Sequence, residues 1–265
     1  MITVILTYIA MGSVAGILAG LLGIGGGLVL VPMLVFGFTA QGVPYEIIMH
    51  LALGTSMAGI MFTALSSFMA HNRLGVVDWH IVRRIVPGIL VGTFLGSCVA
   101  ARLSTALLSV LFVAFVYYVA VQMIVDRKPK PYRQLPGRSG MFCAGNVIGA
   151  VSSFIGIGGG ALSVPFMVWC NVPMHRAIGT SAAIGFHIAI AGTAGYVYSG
   201  LHASNLPGFS LGYVYLPALG GLVCASMLTA PLGAWLAHRM SVKKLKLAFA
   251  VLLAVMGTRA LIGLI

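Results

Sequence analysis

Long apolar runs separated by short polar segments are the main feature of this chain. The runs lie at about 2–22, 28–38, 47–70, 85–101, 104–125, 140–155, 161–171, 177–198, 211–236 and 247–264. Residues 1–45 and 177–238 contain no Asp, Glu, Lys or Arg. Uncharged apolar runs of about 18 or more residues are typical of transmembrane helices. Several of them in 265 residues predict an all-α polytopic membrane protein.

The apolar runs contain an internal repeat. The pentapeptide GIGGG occurs at Gly23–Gly27 and at Gly156–Gly160, and a proline follows five residues after each copy. The tripeptide GTS occurs at Gly54–Ser56 and again at Gly179–Ser181. A third pair, ARLS at residues 101–104 and HRMS at 238–241, keeps the same order along the chain. Three ordered matches indicate a duplication.

The polar segment Asp126–Arg138 separates the two copies and contains three prolines and five basic residues. Since proline cannot continue a helix interior, this segment is predicted to be a linker. The sequence thus divides into a first membrane repeat at 1–125, a cytoplasmic linker at 126–138 and a second membrane repeat at 139–265.

The distribution of Lys and Arg predicts the orientation of the helices. Basic residues concentrate in segments 73–84, 127–138 and 239–246, which are therefore expected on the cytoplasmic side. Loops 39–45 and 199–210 contain neither residue and are expected outside. Runs 47–70 and 177–198 then cross in opposite directions. We expect two inverted repeats, each with a glycine-motif hairpin or broken helix plus three transmembrane helices.

The glycine motifs are the first candidate binding residues. A helix that starts just after GIGGG would present unpaired N–H groups and its positive dipole end to an anion. This reading selects Gly25, Gly26 and Gly27 with Gly158, Gly159 and Gly160. Close helix packing at small residues is the alternative explanation. A dinucleotide-binding loop is excluded, because that fingerprint needs a soluble βαβ unit.

Hydroxyl groups and one histidine complete the candidate set. Thr55, Ser56, Thr180 and Ser181 either bond to carbonyls of their own helices or line a cavity and donate to the same anion. His187 lies near the middle of its apolar run, where an ionisable residue is a functional candidate, although a packing role is the alternative.

Composition narrows the function further. The net charge of +12 lies mostly in the three basic segments, so it indicates membrane topology and no nucleic acid partner. The four cysteines have no metal-ligand spacing, and no nucleophile–base pair or HExxH motif is present. No cofactor, no metal and no enzymatic activity are therefore expected. The expected partners are a small anion and the lipid bilayer, and a homodimer is left open.

The paired GIGGG…VP segments, the GTS helix starts and the closing LGAWLAHRMS resemble the sulfite exporter TauE/SafE family. The resemblance covers nearly the whole chain. It implies a secondary transporter of the bacterial inner membrane that exports small sulfur-containing anions, either sulfite or organosulfonates such as sulfoacetate. An importer or a channel for a related small anion is the alternative, because sequence does not encode direction.

Overall fold

The computed structural model describes residues 2–22, 27–125, 134–203, 205–239, 250–251, 253–255 and 257–258. Within these ranges it is almost entirely helical. The helices are α1 (Ile2–Leu22), α2 (Gly27–Ala40), α3 (Tyr45–Arg73), α4 (Trp79–Ala100), α5 (Thr105–Val125), α6 (Arg138–Ile155), α7 (Gly160–Trp169), α8 (Met174–Gly200) and α9 (Leu216–Arg239). The described residues between 250 and 258 are also helical.

Four of these helices, α3, α4, α5 and α8, are long and apolar enough to cross a membrane. Helices α2 and α7 are much shorter, with 14 and 10 residues. Ten residues rise only about 15 Å, which is half of a hydrocarbon core. The short second limb predicted after each glycine motif is therefore present. The central linker starts where α5 ends, at Val125, and α6 begins at its last residue, Arg138; residues 126–133 lie outside the described ranges.

The helices pack in a reciprocal pattern. Helices α3 and α8, which carry the two GTS motifs, lie against each other at the centre. Helix α1 packs mainly on α9, and α6 packs mainly on α4. The first helix of each sequence repeat thus packs on the fourth helix of the other repeat.

Glycines allow α4 and α6 to cross with their backbones in contact. A β-carbon on Gly88 would overlap the carbonyl oxygen of Phe142, and one on Gly149 would lie 2.7 Å from the carbonyl oxygen of Ile89. Gly92 lies equally close to the backbone of Asn146. Small residues at four-residue spacing permit such close approach in membranes, where dispersion contacts drive helix association.

Helices α1 and α9 cross in the same way. A β-carbon on Gly12 would lie 2.8 Å from the Cα of Leu222, and one on Gly16 would lie 2.6 Å from the Cα of Ser226. The Thr229 hydroxyl also donates to the carbonyl oxygen of Ser13, with an oxygen–oxygen distance of 3.0 Å. Small residues therefore hold together two of the helix pairs that join the two halves.

The apolar run 211–236 does not form a single helix. Residues Ser210–Leu211 (β1) and Val214–Tyr215 (β2) form a two-stranded antiparallel hairpin, in which Ser210 pairs with Tyr215. Gly212 has a φ of 54°, a left-handed conformation that suits a turn and interrupts a helix. Helix α9 consequently begins five residues later than the hydrophobic pattern predicts.

Candidate functional site

The second glycine motif forms a tight turn between α6 and α7, defined here as the glycine turn (residues 156–160). Gly156 ends α6 with a φ of 73°, and Gly159 precedes α7 with the same φ of 73°. Both values are left-handed, which glycine adopts without a steric penalty. The N–H groups of Gly156 and Ile157 donate to the carbonyl oxygen of Ser152 over 2.9 and 3.2 Å. Two left-handed glycines thus break the helix path here.

Helix α7 starts with unpaired donors. Its N-cap residue, Gly159, has no side chain to accept a hydrogen bond, and its carbonyl oxygen accepts only from Leu162 and Ser163, at 3.0 and 2.8 Å. Among the residues that the structure describes, the backbone N–H groups of residues 158–161 make no hydrogen bond to a carbonyl oxygen. These groups, together with the helix dipole, form a positive helix end without any charged side chain.

The start of α2 lies against the same turn. A β-carbon on Gly27 would lie 2.7 Å from the carbonyl oxygen of Gly156 and 3.0 Å from the Cα of Ile157. Helix α2 begins at Gly27 and α7 at Gly160, so each starts at the last glycine of its motif. The structure thus brings the end of the first motif to the second. Gly25 and Gly26 lie outside the described residues.

Helices α3 and α8 each bring one serine to the glycine turn. The buried Ser56 hydroxyl donates to the carbonyl oxygen of Gly156 over 3.0 Å. The Ser181 hydroxyl lies 3.4 Å from the position that a β-carbon on Gly160 would take. Gly27, Ser56, Ser181 and the glycines of the turn therefore form one cluster, which contains most of the described residues predicted from the repeat.

The two threonines of the GTS motifs face elsewhere. The Thr180 hydroxyl accepts the backbone N–H of Asp78 at 2.9 Å. The Thr55 hydroxyl accepts the backbone N–H of Tyr215 at 3.0 Å. Each threonine thus binds the residue that precedes the fourth helix of the other half, and neither is part of the cluster at the glycine turn.

His187 lies on a different face of α8 from the residues that contact the turn. A β-carbon on Gly185 would meet the carbonyl oxygen of Gly158 in the turn. A β-carbon on Gly159 would meet the side chain of Ile188. Together with Ser181, Gly185 and Ile188 lie on one stripe of α8, because four and three residues make about one turn. His187 is about 120° away from this stripe, and its Nδ1 lies 2.8 Å from the carbonyl oxygen of Ala183.

Two residues beside the glycine turn, Ser152 and Tyr196, could not be found from the internal sequence repeat. Ser152 is fully buried in the last turn of α6, and its repeat equivalent is Ala19, so a search for shared polar residues misses it. Tyr196 donates its hydroxyl to the carbonyl oxygen of Ser153 over 2.8 Å. The double serine just before GIGGG is the sequence signal that could have identified this region.

Metal chemistry has no candidate here. In the described part of the chain, no three His, Cys, Asp or Glu side chains lie together in a group that could hold a metal ion. Residues 139–175, which contain α6 without its first residue, Arg138, the glycine turn and α7, also include no Asp, Glu, Lys or Arg. Among the described residues, this cluster thus offers hydrogen-bonding groups and helix dipoles, with no charged side chain of its own.

Comparison with known proteins agrees with this architecture. The family model of the sulfite exporter TauE/SafE matches residues 8–260. The chain belongs to this family. It is 38% identical over 259 residues to a protein of Haemophilus influenzae named "Probable membrane transporter protein", an alignment that covers 97% of this chain and 98% of the relative.

A relative from Methanocaldococcus jannaschii, also named as a probable membrane transporter protein, is 28% identical over 262 residues, which cover 94% of this chain and 92% of the relative. No solved structure matches the chain significantly. Family membership and the long apolar helices together make this TauE/SafE protein a multi-pass membrane protein.

Proposed function

We propose that this chain is a secondary transporter that exports small sulfur-containing anions, sulfite or organosulfonates such as sulfoacetate, across the bacterial inner membrane. The observation that carries the proposal is the start of α7, where unpaired N–H groups follow a left-handed glycine in a segment without charged residues. The family name supports sulfite as the first substrate to test.

An anion fits this arrangement for an electrostatic reason. The start of a helix carries roughly half a positive elementary charge, and its first N–H groups lack partners within the helix. The start of α2 lies beside the same turn. Two helix starts can therefore stabilise one small anion, while the absence of a fixed cation allows the anion to leave again.

Alternating access requires two halves that move against each other, and the reciprocal packing supports inverted repeats. Helices α1 and α6 each pack on the fourth helix of the other half. Thr55 and Thr180 likewise each accept an N–H group from the other half. In transporters built from inverted repeats, the substrate binds near the midplane between the repeats.

Cysteine accessibility tests the orientation. Single cysteines at Ala40, Gln134 and Asn205 would be labelled from either side, after replacement of the native Cys98, Cys143, Cys170 and Cys224 by alanine. We expect Gln134→Cys to react only from the cytoplasm, and the other two only from outside. Reaction of Gln134→Cys and Asn205→Cys from the same side would contradict inverted repeats with a cytoplasmic linker.

Flux in proteoliposomes tests the substrate. Vesicles would be loaded with sulfite, sulfoacetate, methanesulfonate, sulfate or chloride, and efflux would be compared with that from protein-free vesicles. We expect saturable flux of at least one sulfur-containing anion. Saturable flux of chloride alone would contradict the proposed substrate class, and flux that stays linear with concentration would indicate a channel.

A variant of the glycine turn connects this flux to the cluster. A β-carbon on Gly160 would lie 3.4 Å from the Ser181 hydroxyl, its nearest contact outside α7, so Gly160→Ala is expected to fold and to narrow the start of α7. Gly220→Ala is the control, because a β-carbon on Gly220 meets nothing within 4 Å. Equal transport by the two variants would argue against binding at the glycine turn.

A further inference from the structure

Ser152 has a buried hydroxyl without a hydrogen-bond partner. Its side chain is fully buried, and its Oγ contacts no donor or acceptor in the part of the chain that the structure describes. The adjacent Ser153 is equally buried, but its hydroxyl donates to the carbonyl oxygen of Ala150 over 2.7 Å. An unpaired buried hydroxyl destabilises a fold, since it has lost water and gained nothing. Ser152 therefore requires an explanation that Ser153 does not.

The Ser152 hydroxyl lies beside the start of α7. Its Oγ is 3.6 Å from the position that a β-carbon on Gly159, the N-cap residue, would occupy. Its carbonyl oxygen accepts the N–H groups of Gly156 and Ile157, which hold the turn against the end of α6. The backbone N–H groups of residues 158–161, which find no acceptor among the described residues, follow directly. The unpaired Ser152 hydroxyl and the unpaired backbone N–H groups thus lie beside each other.

Two carbonyl oxygens in the same segment are already paired. The Gly156 carbonyl oxygen accepts from the Ser56 hydroxyl at 3.0 Å, and the Ser153 carbonyl oxygen accepts from the Tyr196 hydroxyl at 2.8 Å. Each of these donors reduces the repulsion that a carbonyl oxygen exerts on an anion. The free donors, these two paired carbonyls and the absence of charged residues from 139 to 175 are complementary to a small oxyanion.

We propose that Ser152 is a substrate-binding residue, whose hydroxyl donates to one oxygen of a small oxyanion at the start of α7. This inference rests on the proposed function and adds a side chain to a site otherwise built from backbone. The bound oxyanion supplies the acceptor that Ser152 lacks in the protein alone. The first repeat has Ala19 at the equivalent position, so the second repeat contributes the side-chain donor.

Anion binding to the purified protein tests the role of Ser152 without a transport assay. Melting temperatures in detergent would be measured against increasing sulfite, methanesulfonate, sulfate and phosphate, because a ligand of the folded state raises the melting temperature with its concentration. For Ser152→Ala we expect a dissociation constant about tenfold or more above the wild type, since a hydrogen bond to a charged group is lost. Without anion, this variant should melt no lower than the wild type, because an unpaired hydroxyl has been removed.

Ser153→Ala is the matched control, and it should keep the wild-type anion affinity while melting slightly lower, since it loses a hydrogen bond that is already made. Ser152→Cys keeps the shape of the side chain with a weaker donor, so its affinity should lie between those of the alanine variant and the wild type.

The outcomes separate this inference from the proposed function. Wild-type affinity for sulfite or methanesulfonate in Ser152→Ala would overturn the role of Ser152 and leave the proposed substrates in place. A wild type that binds phosphate but no sulfur oxyanion would overturn the proposed substrates, while a weaker phosphate affinity in Ser152→Ala would support the Ser152 contact. Binding of none of the four anions by the wild type would overturn both.

Discussion

The connections that follow α3 and α8 differ greatly in length, yet each makes the same hydrogen bond to a threonine of the other half. Residues 74–78 join α3 to α4, and residues 201–215 join α8 to α9. The short connection donates the N–H of Asp78 to Thr180, and the long one donates the N–H of Tyr215 to Thr55. Positions 78 and 215 differ by 137 residues, the shift that also relates ARLS to HRMS. One backbone contact therefore occurs in both repeats, although loop length and sequence differ.

The glycines that pack against the two connections are also equivalent in the two repeats. A β-carbon on Gly54 would overlap the carbonyl oxygen of Tyr213, and one on Gly179 would lie 2.7 Å from the side chain of Val76. Positions 76 and 213 again differ by 137. The glycine of each GTS motif thus makes room for the connection, and the threonine binds it.

The two connections differ in how they start the next helix. The Asp78 carboxylate caps α4 by accepting the N–H groups of His80 and Ile81 at 3.0 and 3.3 Å. Before α9, the Leu216 N–H donates to the carbonyl oxygen of Phe209 over 3.2 Å. The Tyr215 ring also packs edge-on against Phe38, with ring centroids 5.7 Å apart, and the Tyr213 ring stacks on His50 at 5.2 Å. The short connection thus starts its helix with a side-chain cap, and the long one with a backbone hydrogen bond and packed aromatic rings.

The largest expected loss of stability comes from adding a methyl group at Gly54, where α3 packs against the connection of residues 201–215. Gly54→Ala should destabilise the protein by about 3 kcal/mol, because overpacking against a backbone carbonyl forces the helix and the connection apart. Gly179→Ala should cost about 1 kcal/mol, because its nearest contact is a Val76 methyl that can move and the Val76 carbonyl oxygen is farther away, at 3.0 Å. Denaturation in mixed micelles measures both, and equal losses would contradict the difference between the two connections.

Removing either threonine hydroxyl should have the next largest effect. Thr55→Val and Thr180→Val each leave a backbone N–H without its acceptor, which costs about 1–3 kcal/mol. Hydrogen exchange should accelerate at the amide of Tyr215 in the first variant and at that of Asp78 in the second. Thr→Ser at each position keeps the hydroxyl and is the control; a serine variant that exchanges as fast as the valine variant would contradict a role for the hydroxyl.

Asp78→Ala should cost about 1 kcal/mol, since helix α4 loses its N-cap acceptor. Asp78→Asn keeps an acceptor oxygen and should retain most of the stability. The measurement is the same denaturation, combined with hydrogen exchange at His80 and Ile81. Unchanged exchange at these two amides in Asp78→Ala would show that the cap does not stabilise the start of α4.

The smallest effect is expected at His187. Its equivalent in the first repeat is Phe62, which is 37% exposed, and the glycine turn meets α8 at Gly185 and Ile188 instead. His187→Gln keeps hydrogen bonding but cannot titrate, and we expect little change in anion affinity. The pH profile of flux is the decisive measurement, because a profile that flattens in this variant would show that His187 couples protons to transport.

Much of the helical framework could be predicted from the sequence, since it depends on local properties. Apolar runs predicted the positions of α1, α3, α5 and α8, and both short helices begin at the last glycine of a GIGGG motif. The family was identified from the same motifs and is confirmed. The hairpin before α9 was not predicted, because its residues are as apolar as those of the helix that follows.

Which polar groups meet was decided only by the tertiary structure. The GTS motif identified four hydroxyls, but nothing local to it distinguishes Ser56, which reaches the glycine turn, from Thr55, which binds a connection 160 residues away. The internal repeat does not identify Ser152 either, because its equivalent in the first repeat is Ala19. Helix positions and breaks follow from neighbouring residues, whereas a hydroxyl's partner depends on how closely two glycine-rich helix faces approach, and that distance exists only in the packed molecule.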